Sequence, residues 1–272
     1  MRKTIKNAIS LLLAAALMTT ALAGCAGSEE QAFSGPAEGQ SDIEYVQQKG
    51  TLVVGITEFA PMDYRDGDGW TGFDADLAAA FANELGVDVE FTEINWDDKT
   101  TLLANGSIDC VWNGMTLTEE LQSTISCTDP YLSNAQVAVF RSKDVDRYQT
   151  VEDCSHVLFA VETGSMGESL LSGLRYRYAT YSTQLEALQS VQERQADAAV
   201  IDIVMATYYT GTEHEFNDLD FRLLLSDETI CAGFRADSDL TEKANDFLRA
   251  AYENGNIEAL AKQYGIEDAL LN

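Results

Sequence analysis

Thr51–Ile94 runs TLVVGITEFAPMDYRDGDGWTGFDADLAAAFANELGVDVEFTEI, a strand, a helix and a second strand in one stretch. Thr51–Ile56 is a short run of β-branched character. Asp74–Leu85 sets Leu77, Ala78, Phe81 and Leu85 at helical spacing, with Asp74 positioned to cap the helix and Gly86 to stop it. Val87–Ile94 is strand-like again. Such a succession is a βαβ unit, in which two parallel strands carry the helix on one face of their sheet.

The same alternation extends along the chain. Thr100–Leu103 continues into a short helix ended by Asn105-Gly106, Ile108–Trp112 is a third strand, and Asn134–Phe140 is another. A second round follows, with strands at Val157–Val161 and Ala198–Ile203 and helices at Ser165–Leu171 and Thr183–Arg194. Phe221–Leu225 and Ile230–Arg235 read as strands, and helices are expected near Thr241–Tyr252 and Ile257–Tyr264. Two rounds of α/β alternation predict two α/β lobes. The absence of a short fixed period excludes a solenoid.

Composition narrows the function. Of 272 residues, 46% are hydrophobic, which is ample for a core. Lys and Arg number 17 against 45 Asp and Glu, a net charge of −28. Nucleic acid needs clustered Lys and Arg to neutralise phosphate, so it is not an expected partner. A chain this acidic also does not dock on anionic lipid by charge. His156 and His214 lie far apart, which excludes a His-based metal cluster, and neither a metal nor a cofactor is expected. No G-x-x-x-x-G-K-[ST], H-E-x-x-H or G-x-S-x-G motif is present.

The N-terminus reads as an export signal. Arg2, Lys3 and Lys6 precede an apolar run, Ile9–Leu17, and Leu22-Ala23-Gly24-Cys25 closes it with small residues. The run is too short to cross a bilayer. Leu-Ala-Gly-Cys resembles a bacterial lipobox, so residues 1–24 are expected to be a signal peptide and Cys25 the lipidated residue. The Gly-, Ser- and Glu-rich stretch that follows makes 25–48 a lipid-anchored linker. Cys110, Cys127, Cys154 and Cys231 remain; an exported location permits disulfides, no C-x-x-C spacing marks a pair, and their pairing stays open.

Five blocks carry a family resemblance. Gly55-Ile-Thr-Glu-Phe-Ala-Pro-Met-Asp-Tyr64 with Gly72-Phe-Asp-Ala-Asp-Leu77 resembles the opening of the polar amino-acid-binding proteins of ABC importers. Asn105–Cys110 leading into Asn113–Glu120, and Thr128-Asp-Pro-Tyr131, resemble its next elements. Val161–Glu168 and Asp197–Asp202 resemble the two motifs of its second lobe. The resemblance runs from about Lys49 to the C-terminus. It implies a periplasmic-binding-protein-like α/β fold, two lobes with a hinge between them, closing on a small solute. Lobe 1 is then residues 49–137 plus 229–272 and lobe 2 residues 138–228, joined through Asn134–Phe140 and Ile230–Arg235. It further implies a non-enzymatic monomer that captures an amino acid or similar solute for an ABC permease. Two alternatives share the fold: a cyclohexadienyl-dehydratase-like enzyme, for which Glu58 or Glu162 would supply the acid, and a ligand-binding sensor.

A free amino acid presents a cation, an anion and a side chain, so its cleft needs an acid, anion donors and an apolar or aromatic wall. Asp202 ends a strand, where open α/β sheets place ligand groups, and matches the family aspartate that pairs with the α-ammonium. Ser165-Met-Gly-Glu168 is a capping-box pattern whose helix start offers N–H groups to a carboxylate, through Ser165 and the Met166 backbone. Phe59, ahead of Ala60-Pro61, stands where the family sets an aromatic over the ligand. Trp112, Asn113 and Gly114 end a strand, with Trp112 as a second wall and Gly114 allowing close approach; Thr116 matches a family hydroxyl. One departure stands out. Thr118-Glu119-Glu120-Leu121 has leucine where the family has a carboxylate-binding arginine, which leaves Lys99 as the candidate cation in the first lobe.

Overall fold

The computed structural model describes residues 35–37 and 39–271. The signal segment and Cys25 lie outside the described residues. The described residues open with α1 (Asp42–Lys49), β1 (Thr51–Ile56), a hairpin of β2 (Tyr64–Asp66) and β3 (Gly69–Thr71), α2 (Phe73–Leu85) and β4 (Asp88–Glu93). It continues through α3 (Lys99–Ala104), β5 (Cys110–Thr116), α4 (Glu119–Gln122), β6 (Ser126–Cys127) and β7 (Leu132–Asn134). A second run holds β8 (Gln136–Arg141), β9 (Leu158–Glu162), α5 (Met166–Leu174), β10 (Arg177–Tyr181), α6 (Gln184–Gln192), β11 (Ala198–Asp202), α7 (Ile203–Tyr209) and β12 (Leu219–Leu224). Then come β13 (Glu228–Phe234), α8 (Leu240–Glu253) and α9 (Asn256–Tyr264).

The strands form two large sheets. The first has order β4-β1-β5-β13-β6, with β7 also on β13; the second has order β10-β9-β11-β8-β12. β1 pairs in parallel with β4, from Thr51↔Asp88 to Ile56↔Glu93, and with β5. The expected βαβ unit is therefore present, with α2 as its crossover. β9 pairs in parallel with β10 and β11, while β8 and β12 run antiparallel.

The chain passes between the sheets twice, at Ala135 between β7 and β8 and over residues 225–227 between β12 and β13. Ile230–Arg235 is thus not a crossing segment. Its residues to Phe234 belong to β13, which pairs with β5, β6 and β7 inside the first sheet.

The core follows from the helical spacing read above. Leu77, Ala78, Phe81, Ala82 and Leu85 of α2 are all buried, and the Phe81 ring sits 5.7 Å from Trp112 and 5.6 Å from Phe247. Asp74 does not cap α2. Gly72 holds the cap position, and Asp74 lies inside the first turn, accepting from the Gly114 backbone N–H at 2.6 Å and the Tyr131 hydroxyl at 2.8 Å. A carboxylate near a helix N-terminus gains from the dipole, and here it also ties α2 to β5. The four cysteines Cys110, Cys127, Cys154 and Cys231 are free thiols, with Cys127 and Cys231 hydrogen-bonded to each other.

β10 and the β2–β3 hairpin were not legible as strands. β10 (RYATY) is an edge strand with no buried residue, so it lacks the apolar run that marks a core strand.

Candidate functional site

A cavity of about 500 Å³ opens between the two sheets, lined by residues of both. Two pairs of parallel strands, β1 with β5 and β9 with β11, bring residues at or near their carboxyl ends to it. Phe59 follows β1, Gly114 and Thr116 end β5, Glu162 ends β9 and Asp202 ends β11. Side chains there leave the sheet without a following strand residue to cover them, which is why open α/β sheets bind ligands at this edge.

Asp202 is buried and held by three side-chain amides. Asn134 and Gln136 donate to its Oδ1, the latter at 3.0 Å, and Gln184 donates to Oδ2. The Gln184 amide oxygen in turn accepts the Asp202 backbone N–H at 2.9 Å. Behind this set, Glu228 accepts from Thr116 Oγ1 at 3.0 Å, Gln136 Nε2 at 3.2 Å and Asn134 Nδ2 at 3.3 Å. Burial, reinforced by the Glu228 charge and opposed by the amide hydrogen bonds, moves the Asp202 carboxyl up to about 6.

Glu162 is 4% exposed, lines the cavity and leaves its Oε1 without a hydrogen-bond partner. Burial first and the Asp202 charge second push its carboxyl up to about 8, against the pull of Lys99 and a hydrogen bond with Gln184. In the unfolded chain a glutamate titrates near ~4.3. Between that pH and about 8 the folded protein holds a proton that the unfolded chain releases, so stability falls as pH rises through this window. The melting temperature of the ligand-free protein is expected to drop from pH 5 to pH 8, and Glu162→Gln to flatten that slope. Equal slopes in the two proteins would remove this account of Glu162.

Lys99 spans the cavity. Its Nζ donates to the Trp96 carbonyl at 3.1 Å and, from the second sheet's side, to the Gly164 carbonyl at 3.3 Å, and it stands 4.6 Å from the Trp96 ring centroid. It is half-buried, and desolvation lowers its pKa. Gly164 meets Asp97 across the same gap: a Cβ there would lie 2.7 Å from Asp97 Oδ1 and 2.8 Å from its Cα, and φ is +72°. Gly164→Ala is expected to weaken solute affinity about tenfold, because the added Cβ would meet Asp97 and oppose this close approach. Titration calorimetry checks it; unchanged affinity would mean the contact is not made in the bound state.

At the start of α5, Ser165 accepts the Glu168 backbone N–H at 3.1 Å and Glu168 accepts that of Gly164 at 2.8 Å. Half of the capping box is made: Ser165 caps the helix, but Glu168 reaches the Gly164 N–H rather than that of Ser165; Ser165 and Met166 both line the cavity. Phe59 lines it from the other side and lies over Gly114, where an added Cβ would meet the ring at 2.1 Å; φ there is +57°. Only glycine permits this approach. Leu121, in place of an arginine, is part of the wall.

Two expected residues are placed differently. Trp112 does not line the cavity: its side chain is fully buried and packs on Phe81, Tyr131 and Phe247, on the helix-covered side of the sheet. Asn113 borders the cavity, but its side chain is spent on Thr57 and on Asp63, to which it donates at 2.6 Å. Glu58 is not among the lining residues, whereas Glu162 is. The amides Asn134, Gln136 and Gln184 carried no sequence signal, because they meet Asp202 only through pairing between distant strands.

Residues 52–267 match the model of the bacterial extracellular solute-binding proteins, family 3. The chain belongs to this family. This solute-binding protein is 28% identical over 261 residues to the arginine-binding extracellular protein ArtP of Bacillus subtilis, covering 93% of this chain and 96% of ArtP. An ABC uptake transporter substrate-binding protein of Streptococcus pneumoniae, solved with bound histidine, superposes with a TM-score of 0.78 at 27% identity, covering 87% of this chain and all of the other. The ancestral amino-acid-binding protein AncCDT-1, a precursor of cyclohexadienyl dehydratase, superposes at 0.76 with 30% identity, covering 82% of this chain and 99% of the other. The solute-binding protein therefore has the two-lobed α/β fold of periplasmic amino-acid binders.

Proposed function

We propose that this solute-binding protein captures an amino acid or closely related polar solute in the cavity and hands it to an ABC permease, tethered by lipid on Cys25. The carrying observation is Asp202: a buried carboxylate at a strand end, fixed by Asn134, Gln136 and Gln184, facing a solute-sized cavity. Such an acid fits a ligand ammonium. Phe59 and Leu121 supply apolar wall, and Gly114, Thr116, Ser165 and the Met166 backbone the neutral polar contacts. Lys99 is the cation nearest a ligand anion. The crossings at Ala135 and 225–227 shift the bounds read from sequence: lobe 1 would comprise 42–134 with 228–271, including α1, and lobe 2 136–224. ArtP and the histidine-bound pneumococcal protein support an amino-acid-like solute.

A thermal-shift screen of amino acids, amines and dicarboxylates on residues 26–272 tests the reading. A solute at 100 times its Kd adds about 2.7 kcal/mol of stability, well within detection. No stabilising compound in any class would count against capture. One observation favours an enzymatic second reading: Glu162, held protonated to about 8, has the property of a general acid. Conversion of a prephenate-like acid would establish it, and its absence would leave capture as the reading.

A further inference from the structure

We propose that Glu162 is a specificity carboxylate of the cavity and that the solute carries, besides the ammonium at Asp202, a second cationic group that Glu162 binds. This rests on the capture reading above and goes beyond it by naming the ligand class, a basic amino acid or a diamine.

The argument starts from uncompensated charge. Glu162, Asp202 and Glu228 form a chain of buried carboxyls, exposed 4%, 5% and 8%, bridged by Gln184, Gln136 and Asn134. Amides satisfy hydrogen bonds but do not neutralise charge, and buried carboxylates without a counter-cation are costly. Asp202 and Glu228 have their oxygens engaged by donors. Glu162 differs. Its Oε1 is buried without a hydrogen-bond partner, on a residue that lines the cavity.

The protein's own cation does not fill that role. Among the ion pairs of the described residues none joins Lys99 to Glu162, and two of the three Lys99 N–H donors go to the Trp96 and Gly164 carbonyls, so its charge acts on Glu162 without a direct bond. The other charged residues on the wall, Asp97 and Glu120, are acids as well. Four carboxyls against one ammonium make a cavity that selects positive charge. A neutral solute side chain would leave Glu162 as it is, protonated and half-satisfied. A guanidinium or primary ammonium would donate to Oε1 and hold the carboxyl ionised, the stronger, charge-assisted bond.

L-Arginine and L-citrulline have nearly the same shape and differ in that charge, so they isolate the effect. Calorimetry on the lipid-free protein (residues 26–272) with arginine, lysine, putrescine, citrulline and glutamine should show at least one of the three cationic probes binding. The best cationic amino acid is expected to bind about 100-fold more tightly than citrulline. In Glu162→Gln that ratio should fall below about 5, through loss of affinity for the cation with citrulline within about threefold of wild type. Glu162→Asp, which keeps the charge, should retain most of the preference. A melt of each variant verifies folding. If citrulline or glutamine binds as tightly as arginine, or the ratio survives Glu162→Gln, the assignment of Glu162 is overturned while capture stands. If none of the five binds, the assignment of Glu162 is overturned too, and capture is decided by the wider screen of amino acids, amines and dicarboxylates.

Discussion

Asp202→Asn is expected to weaken solute binding between tenfold and several hundredfold while leaving the fold intact. A charge-assisted hydrogen bond contributes roughly 1.5–3 kcal/mol, and an ammonium left in the cavity without its counter-charge costs more. The substitution also sets an NH₂ group against one of the amides that now donate to the carboxylate, from Asn134, Gln136 and Gln184. Two donors facing each other disorder the set that positions residue 202. Calorimetry with any solute found in the screen reads the effect directly. Unchanged affinity would remove Asp202 from the site.

How far the site was legible follows from where its contacts come from. Asp202 and Glu162 both end buried strands, and an acid at that place in an α/β chain is conspicuous in sequence; Asp202 was assigned to the ligand, Glu162 only as an acid for a dehydratase. What made Glu162 stand out was its missing partner, which no spacing reveals. Gln136 and Gln184 look like ordinary polar residues until β8 and α6 bring them to β11. Trp112 shows the opposite failure. A large aromatic near a strand end reads as a wall, but the strand face it occupies is set by the helices above it, Phe81 from α2 and Phe247 from α8. The first sheet was legible for the same reason its core is regular: α2 repeats its apolar residues at helical spacing between two β-branched runs.

Gly72→Ala should produce the largest loss of stability from removing no contact at all. Gly72 caps α2 with φ +128° and ψ 172°, a region open essentially to glycine. An added Cβ would lie 2.2 Å from the Met62 carbonyl oxygen and 2.5 Å from its carbon, both main-chain atoms that cannot rotate away. Backbone strain and overpacking each cost about 1–3 kcal/mol, so a total of about 3 kcal/mol or more is expected. In a domain of this size that lowers Tm by roughly 6–12 °C. Gly50→Ala is the control: φ is +79° there, but no atom lies within 4 Å of the new Cβ. Its cost should stay near ~1–2 kcal/mol, the left-handed strain alone. Equal losses in the two variants would contradict the steric account of Gly72.

The most direct test of the central claim is a crystal structure of the protein with its tightest-binding solute. The cavity between the two sheets should hold the solute, with one nitrogen within about 3.2 Å of the Asp202 carboxylate and a second cationic group at the same range from Glu162. A solute seated elsewhere, or in the cavity with neither carboxylate in contact, would contradict it.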